Sequence, residues 1–382
     1  MRIKDFNPGY FGFVMATGIV SIACHLMGME KIATALFDIN KAGWIIIFIL
    51  YFARLIVFPA GLAAETWRER GASLFTIVAG TCVLGKQYVI ISHNFSAALL
   101  LWIAGFLFWA ILIYAFFISL AANVPKEDPM ANGFDGSWLI FIVGTQSVAI
   151  LGALLSDGYP GGAETFLFLS LTMYMLGAML YIVMIVLVFY RMFFFALPPE
   201  KLSPAYWINM GAASITTLSG TLILQGSGRW DFISGIAPFL KGLTLFFWAF
   251  ASWWIPLLAA LYVWKHLLRK EPLSYDVRHW TMVFPLGMYT VCTYRFGNAV
   301  GLEYLATIAS RFIYVALVAW VAVFAGLLKR LFLLVKAPAL ESALLKGRQA
   351  VTRPAMVLIT VIAVILGTIA LRIFAGMILN EI

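Results

Sequence analysis

Eleven long apolar stretches divide the sequence, and each has the length of a membrane-spanning helix. A helix needs about 20 apolar residues to cross about 30 Å of hydrocarbon. Because backbone polar groups in lipid must be hydrogen-bonded within the protein, stretches of this length are predicted to be α-helices. The predicted spans are Gly9–Gly28, Gly43–Ala63, Leu74–Ile91, Ala97–Leu120, Ser137–Leu155, Phe166–Tyr190, Ala205–Gln225, Gly242–Trp264, Trp280–Val300 and Leu305–Leu328, with a further segment at Ala355–Leu379.

The composition excludes a sizeable soluble domain. Of the 382 residues, 63% are hydrophobic and 11% are charged, whereas soluble domains carry about 25% charged residues. The net charge of +9 does not indicate nucleic-acid binding, because membrane proteins concentrate lysine and arginine in their cytoplasmic loops. We therefore predict an all-α integral membrane protein that contacts the lipid bilayer and has no nucleic-acid partner.

The distribution of basic residues predicts the orientation of the chain. With the N-terminus in the cytoplasm, 17 of the 26 lysines and arginines fall in cytoplasmic loops and 4 fall in external loops. Such an excess on one side is the signature of the cytoplasmic face. The sequence therefore predicts a multi-pass protein of the cell (plasma) membrane with a cytoplasmic N-terminus.

The predicted spans are of two kinds that alternate along the chain. Several even-numbered spans are apolar on every side, as expected of helices that face lipid. The odd-numbered spans carry small and hydroxyl residues, which allow close helix approach and can face water. This alternation predicts inner odd helices around a central pore, although packing in a compact bundle would also favour small residues. The candidate pore-lining residues are Thr17, Thr81, Thr145, Gln146, Ser214, Thr217, Gly287, Thr290 and Thr293.

Two basic residues, Lys86 and Arg295, lie within the predicted inner helices. A charge inside the membrane costs at least about 2.5 kcal/mol on insertion scales, so it usually has a partner or a function. All 17 acidic residues fall in loops or at the ends of the predicted spans, which leaves a permeating anion as the simplest counter-charge. We predict that Lys86 and Arg295 attract anions to the pore, and a purely structural role is the alternative.

The sequence does not support a nucleotide-binding site, a disulfide framework or a metal site. Gly80–Lys86 matches the first seven positions of a phosphate-binding loop, but Gln87 follows where that loop needs serine or threonine for Mg²⁺. The three cysteines, Cys24, Cys82 and Cys292, form no CxxC pair, so neither a disulfide framework nor a zinc site is indicated. We predict no enzymatic activity, no cofactor and no metal site.

Three further stretches read together as a family pattern. They are Asn7–Ser21, Trp138–Gly152 with its Thr-Gln-Ser sequence, and Trp280–Thr290 with the pattern W-x-x-x-F-P-x-G. These stretches resemble the tellurite-resistance/dicarboxylate transporter family over approximately residues 7–330. That family includes bacterial tellurite-resistance permeases, fungal malate and sulfite transporters, and the slow-type anion channels of plant guard cells.

The resemblance implies ten helices arranged as five hairpins around a central pore, with three protomers in a homotrimer. It also implies that Phe284, beside a kink at Pro285 in the ninth helix, occludes the pore. A proline inside a helix removes a backbone hydrogen bond and bends the helix. The chain then divides into a ten-helix domain at 1–330, a basic cytoplasmic loop at 331–353 and an additional C-terminal hydrophobic helix at 354–382.

The sequence therefore predicts a channel or permease for small inorganic or organic anions, gated by Phe284. A proton-coupled carrier of malate-like C4-dicarboxylates, sulfite or tellurite is the alternative, with His25 or Glu303 as the titratable group. A membrane subunit of a redox or signalling complex is an alternative from another class.

Overall fold

The fold is a helical bundle. The computed structural model describes residues 6–58, 71–122 and 134–344, with side chains described as far as Leu333. These ranges contain ten α-helices and no β-strand, which confirms the predicted all-α membrane protein. The helices are α1 (Phe11–Leu26), α2 (Glu30–Val57), α3 (Phe75–Ile90), α4 (Phe95–Ala122), α5 (Ile140–Gly158), α6 (Ala163–Phe194), α7 (Ile208–Gln225), α8 (Asp231–Val263), α9 (Trp280–Val300) and α10 (Glu303–Leu344).

The helices match the first ten predicted spans, but their ends differ in places. Helix α2 begins 13 residues and helix α8 begins 11 residues earlier than predicted, which is between three and four turns, because the backbone hydrogen bonds of the helix continue where the hydropathy of the sequence falls. An ion pair between Lys41 and Asp38 (2.7 Å) lies in this early part of α2. At the other end of the chain, α10 continues into the segment predicted as a basic loop at 331–353. The predicted additional helix at 354–382 lies outside the described residues.

Eight of the ten described helices are long and apolar enough to cross a membrane, and α7 and α9 are the other two. Both carry many small and hydroxyl residues. All residues of α7 from Ile208 to Leu224 are buried, and α9 is buried along most of its length. Because these two helices contact protein on nearly all sides, they do not need an apolar surface for lipid.

The five odd-numbered helices form a closed ring. Helix α1 packs against α3 and α9, α5 packs against α3 and α7, and α7 packs against α9. Each of them also packs against the even-numbered helix that follows it in the chain. Every residue of α5 from Ile140 to Ser156 is buried, whereas α4 buries a single side. The predicted inner and outer helices and their pairing into five hairpins are confirmed for the described residues.

Each inner helix is preceded by a short 3-10 turn. Neighbouring turns contact one another, so they form a second closed ring at the N-terminal ends of the inner helices. The five hairpins are therefore structurally equivalent repeats, as the alternating composition indicates. The turns are Pro8–Tyr10, Gly71–Leu74, Gly136–Leu139, Pro204–Trp207 and Val277–His279.

Hydrogen bonds join each outer helix to the inner helix of the next hairpin. In four of the five joints, an indole N–H donates to a threonine hydroxyl, and in the joint between α6 and α7 the Tyr181 hydroxyl donates to the Asn209 carbonyl (3.0 Å). The series of joints is closed, because the last outer helix, α10, is hydrogen-bonded to the first inner helix, α1. The indole bonds are Trp44 to Thr81 (3.1 Å), Trp109 to Thr145 (2.8 Å), Trp248 to Thr293 (3.0 Å) and Trp320 to Thr17 (3.0 Å).

Removing one of these inter-hairpin hydrogen bonds is expected to destabilise the bundle modestly. Compared with a matched control, Trp109→Phe should lower the free energy of unfolding by about 0.6 kcal/mol more, and by at most about 1.7 kcal/mol more. These are the average and the maximum for hydrogen bonds between membrane helices. Trp207→Phe is that control, because the Trp207 indole N–H has no hydrogen-bond partner among the described residues. Equal unfolding free energies for the two variants in detergent would remove the stabilising role.

Candidate anion pathway

A cavity lies on the axis of the ring, and each inner helix contributes two side chains to its wall. Within each helix the two residues are three or four positions apart, so they belong to one face. The five inner helices therefore surround a common space. The lining residues are Ile19, Ile22, Lys86, Ile90, Ile150, Leu154, Leu218, Leu222, Val291 and Arg295.

This central cavity is narrow, and most of the residues that line it are aliphatic. Its volume is about 10 Å³, which is room for about one water molecule. Eight of its ten lining residues are isoleucine, leucine or valine. A narrow aliphatic constriction excludes water and blocks ions by dewetting. The pathway is closed at this level in the structure.

Lys86 of α3 is almost completely buried, with 1% of its surface exposed. Its side chain lines the central cavity, and its ammonium lies 3.5 Å from the Ser147 hydroxyl of α5. Ser147, Ile150 and Leu154 share one face of α5 by the helical period, so the ammonium lies at the inward side of the ring. Among the residues that the structure describes, no carboxylate comes within ion-pair distance of Lys86.

Arg295 of α9 lines the same cavity. It interacts electrostatically with Asp157 at the C-terminal end of α5. The Asp157 carboxylate also forms an ion pair with Arg229, at 2.6 Å, in the loop between α7 and α8. This end of the ring therefore holds two guanidinium groups and one carboxylate.

Phe284 lies on the same face of α9 as two residues of the cavity wall. Val291 and Arg295 follow it by 7 and 11 residues, which are close to whole numbers of helical turns. Along the helix axis, Phe284 is about 10 Å from Val291. Its side chain is buried. The geometry puts Phe284 at the inward side of α9, closer to the N-terminal end of the ring than the cavity.

Pro285 packs against a glycine of the neighbouring inner helix. A Cβ atom built on Gly211 of α7 would lie 2.6 Å from Cγ of Pro285, which is shorter than carbon atoms tolerate. On the other side, a Cβ on Gly287 would lie 2.9 Å from Cγ2 of Ile19 on α1. Two glycines therefore allow the proline-containing part of α9 to fit between α7 and α1.

The predicted polar lining residues form hydrogen bonds with other side chains and with backbone carbonyls of the bundle. Four of the threonines accept the indole hydrogen bonds described above. The Gln146 amide donates to the Tyr174 carbonyl of α6 (3.1 Å). The hydroxyls of Ser214, Thr217 and Thr290 donate to carbonyls four residues earlier in their own helices. Of the predicted lining residues, Lys86 and Arg295 are the two in the cavity wall, and a lining role for the others elsewhere along the pathway stays a prediction.

The sequence interpretation missed the aliphatic part of the cavity wall and the Asp157–Arg229 pair. A signal for the first was present, because Ile90 follows Lys86 by four residues and Val291 precedes Arg295 by four. Both helices also carry aliphatic residues at other positions, however, so spacing alone did not single out Ile90 and Val291. The ion pair joins residues 72 positions apart in the chain, and no local pattern predicts it.

Comparison with known proteins gives a consistent picture. A family model described as voltage-dependent anion channel (SLAC1) matches residues 5–328. An uncharacterised membrane protein of Mycobacterium tuberculosis is 39% identical over 40% of this chain and 77% of its own length. An uncharacterised transporter of Methanocaldococcus jannaschii is 25% identical over 79% of this chain and 87% of its own. A sulfite efflux pump of Trichophyton rubrum is 23% identical over 85% of this chain and 90% of its own.

Proposed function

The chain belongs to the voltage-dependent anion channel family, and we propose that it is a passive pathway for small anions along the axis of the inner ring. Phe284 gates this pathway, and Lys86 and Arg295 attract the anion. The protein works as a homotrimer in the plasma membrane, with its N-terminus in the cytoplasm and one pathway in each protomer. It acts as a transporter rather than an enzyme and needs no cofactor.

The observation that carries the proposal is that the central cavity, which has an aliphatic surface, is lined in part by two basic residues. Five helices converge on one space, and the charged residues of its wall are both cationic. A pathway for protons or metal cations would need acidic groups at this depth, whereas none of the ion pairs between described residues involves Lys86. Positive charge in a narrow apolar channel raises the local concentration of anions.

The proposal is tested by anion flux into proteoliposomes that contain the purified protein. Chloride, nitrate, sulfite and malate are offered one at a time, with potassium as the cation control. We expect at least one small anion to enter down its gradient and potassium to be excluded. Absence of flux for every anion, in the wild type and in a variant without the Phe284 ring, would contradict the proposal.

A second candidate function is proton-coupled transport of sulfite or of a related dianion. The similarity to a sulfite efflux pump over 85% of the chain favours it. The titratable group would be His25 in the last turn of α1, whose ring lies 2.8 Å from the carboxylate of Glu30 at the start of α2, or Glu303 at the start of α10. Sulfite, malate or tellurite accumulation against its own gradient, driven by an imposed pH difference, would favour this carrier over the passive pathway.

A further inference from the structure

The C-terminal end of the inner ring carries a small cluster of charged side chains, formed by Asp157, Arg229 and Arg295. Arg229 and Asp157 form an ion pair of 2.6 Å in which 40% and 46% of the two side chains are exposed. Arg295 interacts with the same carboxylate and also lines the central cavity. The cluster therefore connects the solvent-exposed end of the ring with the closed part of the pathway.

We propose that Arg229 and Arg295 form an entry site for small oxyanions, and that the Asp157 carboxylate occupies this site until an incoming anion displaces it. The inference rests on the proposed anion pathway and adds to it the residues that first bind the anion. A carboxylate presents two oxygens in a plane, as nitrate and other planar oxyanions do. The guanidinium group binds such oxygens in pairs.

The ion pair between Asp157 and Arg229 is weak enough for an incoming anion to displace the carboxylate. An ion pair at a partly exposed site contributes little net stability, because water competes with both partners. An incoming oxyanion can therefore exchange with Asp157 at low cost. Once bound between the two guanidiniums, the anion lies beside Arg295, whose side chain reaches the cavity that Lys86 also lines. The next cation along the pathway then attracts the anion inward.

Removing the charge of Asp157 is expected to increase nitrate entry from this side of the membrane. Asp157→Asn keeps the shape of the side chain and leaves both arginines without the competing carboxylate. We expect the nitrate flux at low ionic strength to rise about two- to threefold. The increase should vanish near 1 M salt, where the screening length falls to about 3 Å. Asp38→Asn is the matched control, because Asp38 is also an exposed carboxylate paired with a basic residue (Lys41, 2.7 Å) and lies outside the cavity wall.

A second variant tests the fork geometry of the arginine. Arg229→Lys retains the positive charge and loses paired recognition of two oxygens. It should lower nitrate entry relative to chloride entry, since chloride is a single atom and gains nothing from the fork. The entry site is overturned if the wild-type protein conducts nitrate but the nitrate flux of Asp157→Asn is no higher than that of Asp38→Asn. A wild-type protein that conducts no anion overturns the pathway itself, so the two failures are distinguishable.

Discussion

Replacing Phe284 by alanine is expected to raise anion flux on the order of tenfold, because the ring narrows a pathway that is already close to water-excluding. Phe284 is buried and shares the inward face of α9 with Val291 and Arg295. Truncation to alanine removes the whole ring and leaves the helix backbone in place. The measurement is the initial rate of chloride or nitrate entry into proteoliposomes at fixed protein content, with potassium flux measured in parallel to exclude leakage.

Phe296→Ala is the matched control for this gate. Phe296 lies on the same helix, is also buried, and packs against Trp248 of the outer helix α8 with 6.4 Å between ring centroids. Twelve residues separate it from Phe284, which is about a third of a turn around the helix. Both truncations create cavities and cost about 3–5 kcal/mol of stability. Only the Phe284 variant should increase flux, and equal flux in the two variants would contradict gating by this ring.

The set of helices and their arrangement in the bundle follow from the sequence, because a helix that crosses the membrane needs a long apolar stretch. Ten of the spans were predicted from length and hydropathy, and the inner ring was predicted from small and hydroxyl residues in alternate spans. The two helices that fall short of apolarity, α7 and α9, belong to that ring. Their threonines and glycines lower the hydropathy of these helices, and the same residues allow neighbouring helices to pack closely around them.

The directions of individual side chains did not follow from the sequence in the same way. Threonines in inner helices suggested a polar pore, yet Thr17, Thr81, Thr145 and Thr293 bond to indoles of outer helices. The rotation of a helix about its axis depends on all its neighbours at once, and a hydroxyl suits a water-filled pore as well as a buried indole. The partners are also distant: Trp320 and Thr17 are 303 residues apart. Composition identified the inner helices but not which face of each helix points inward.

Replacing Lys86 by methionine is expected to lower anion flux on the order of tenfold, because the central cavity then loses its most deeply buried charge and its wall becomes almost entirely aliphatic. Methionine has a similar length and flexibility, so the packing of the cavity wall is largely retained. Lys86→Arg keeps the charge and should retain more flux than Lys86→Met. Lys241→Met, at an exposed position on α8, controls for the loss of one positive charge from the protein as a whole.

The stability of the Lys86→Met variant separates a functional lysine from a structural one. A buried ammonium whose one hydrogen-bond partner among the described side chains is the Ser147 hydroxyl is costly to keep in the membrane, and replacing it by an apolar side chain is often neutral or stabilising. If the lysine serves anion passage, the variant should unfold at the same or a higher denaturant concentration while its flux falls. Such opposite changes are typical of residues retained for activity at the expense of stability. If stability and flux fall together, Lys86 holds α3 against α5, and the attraction of anions must be assigned to Arg295 alone.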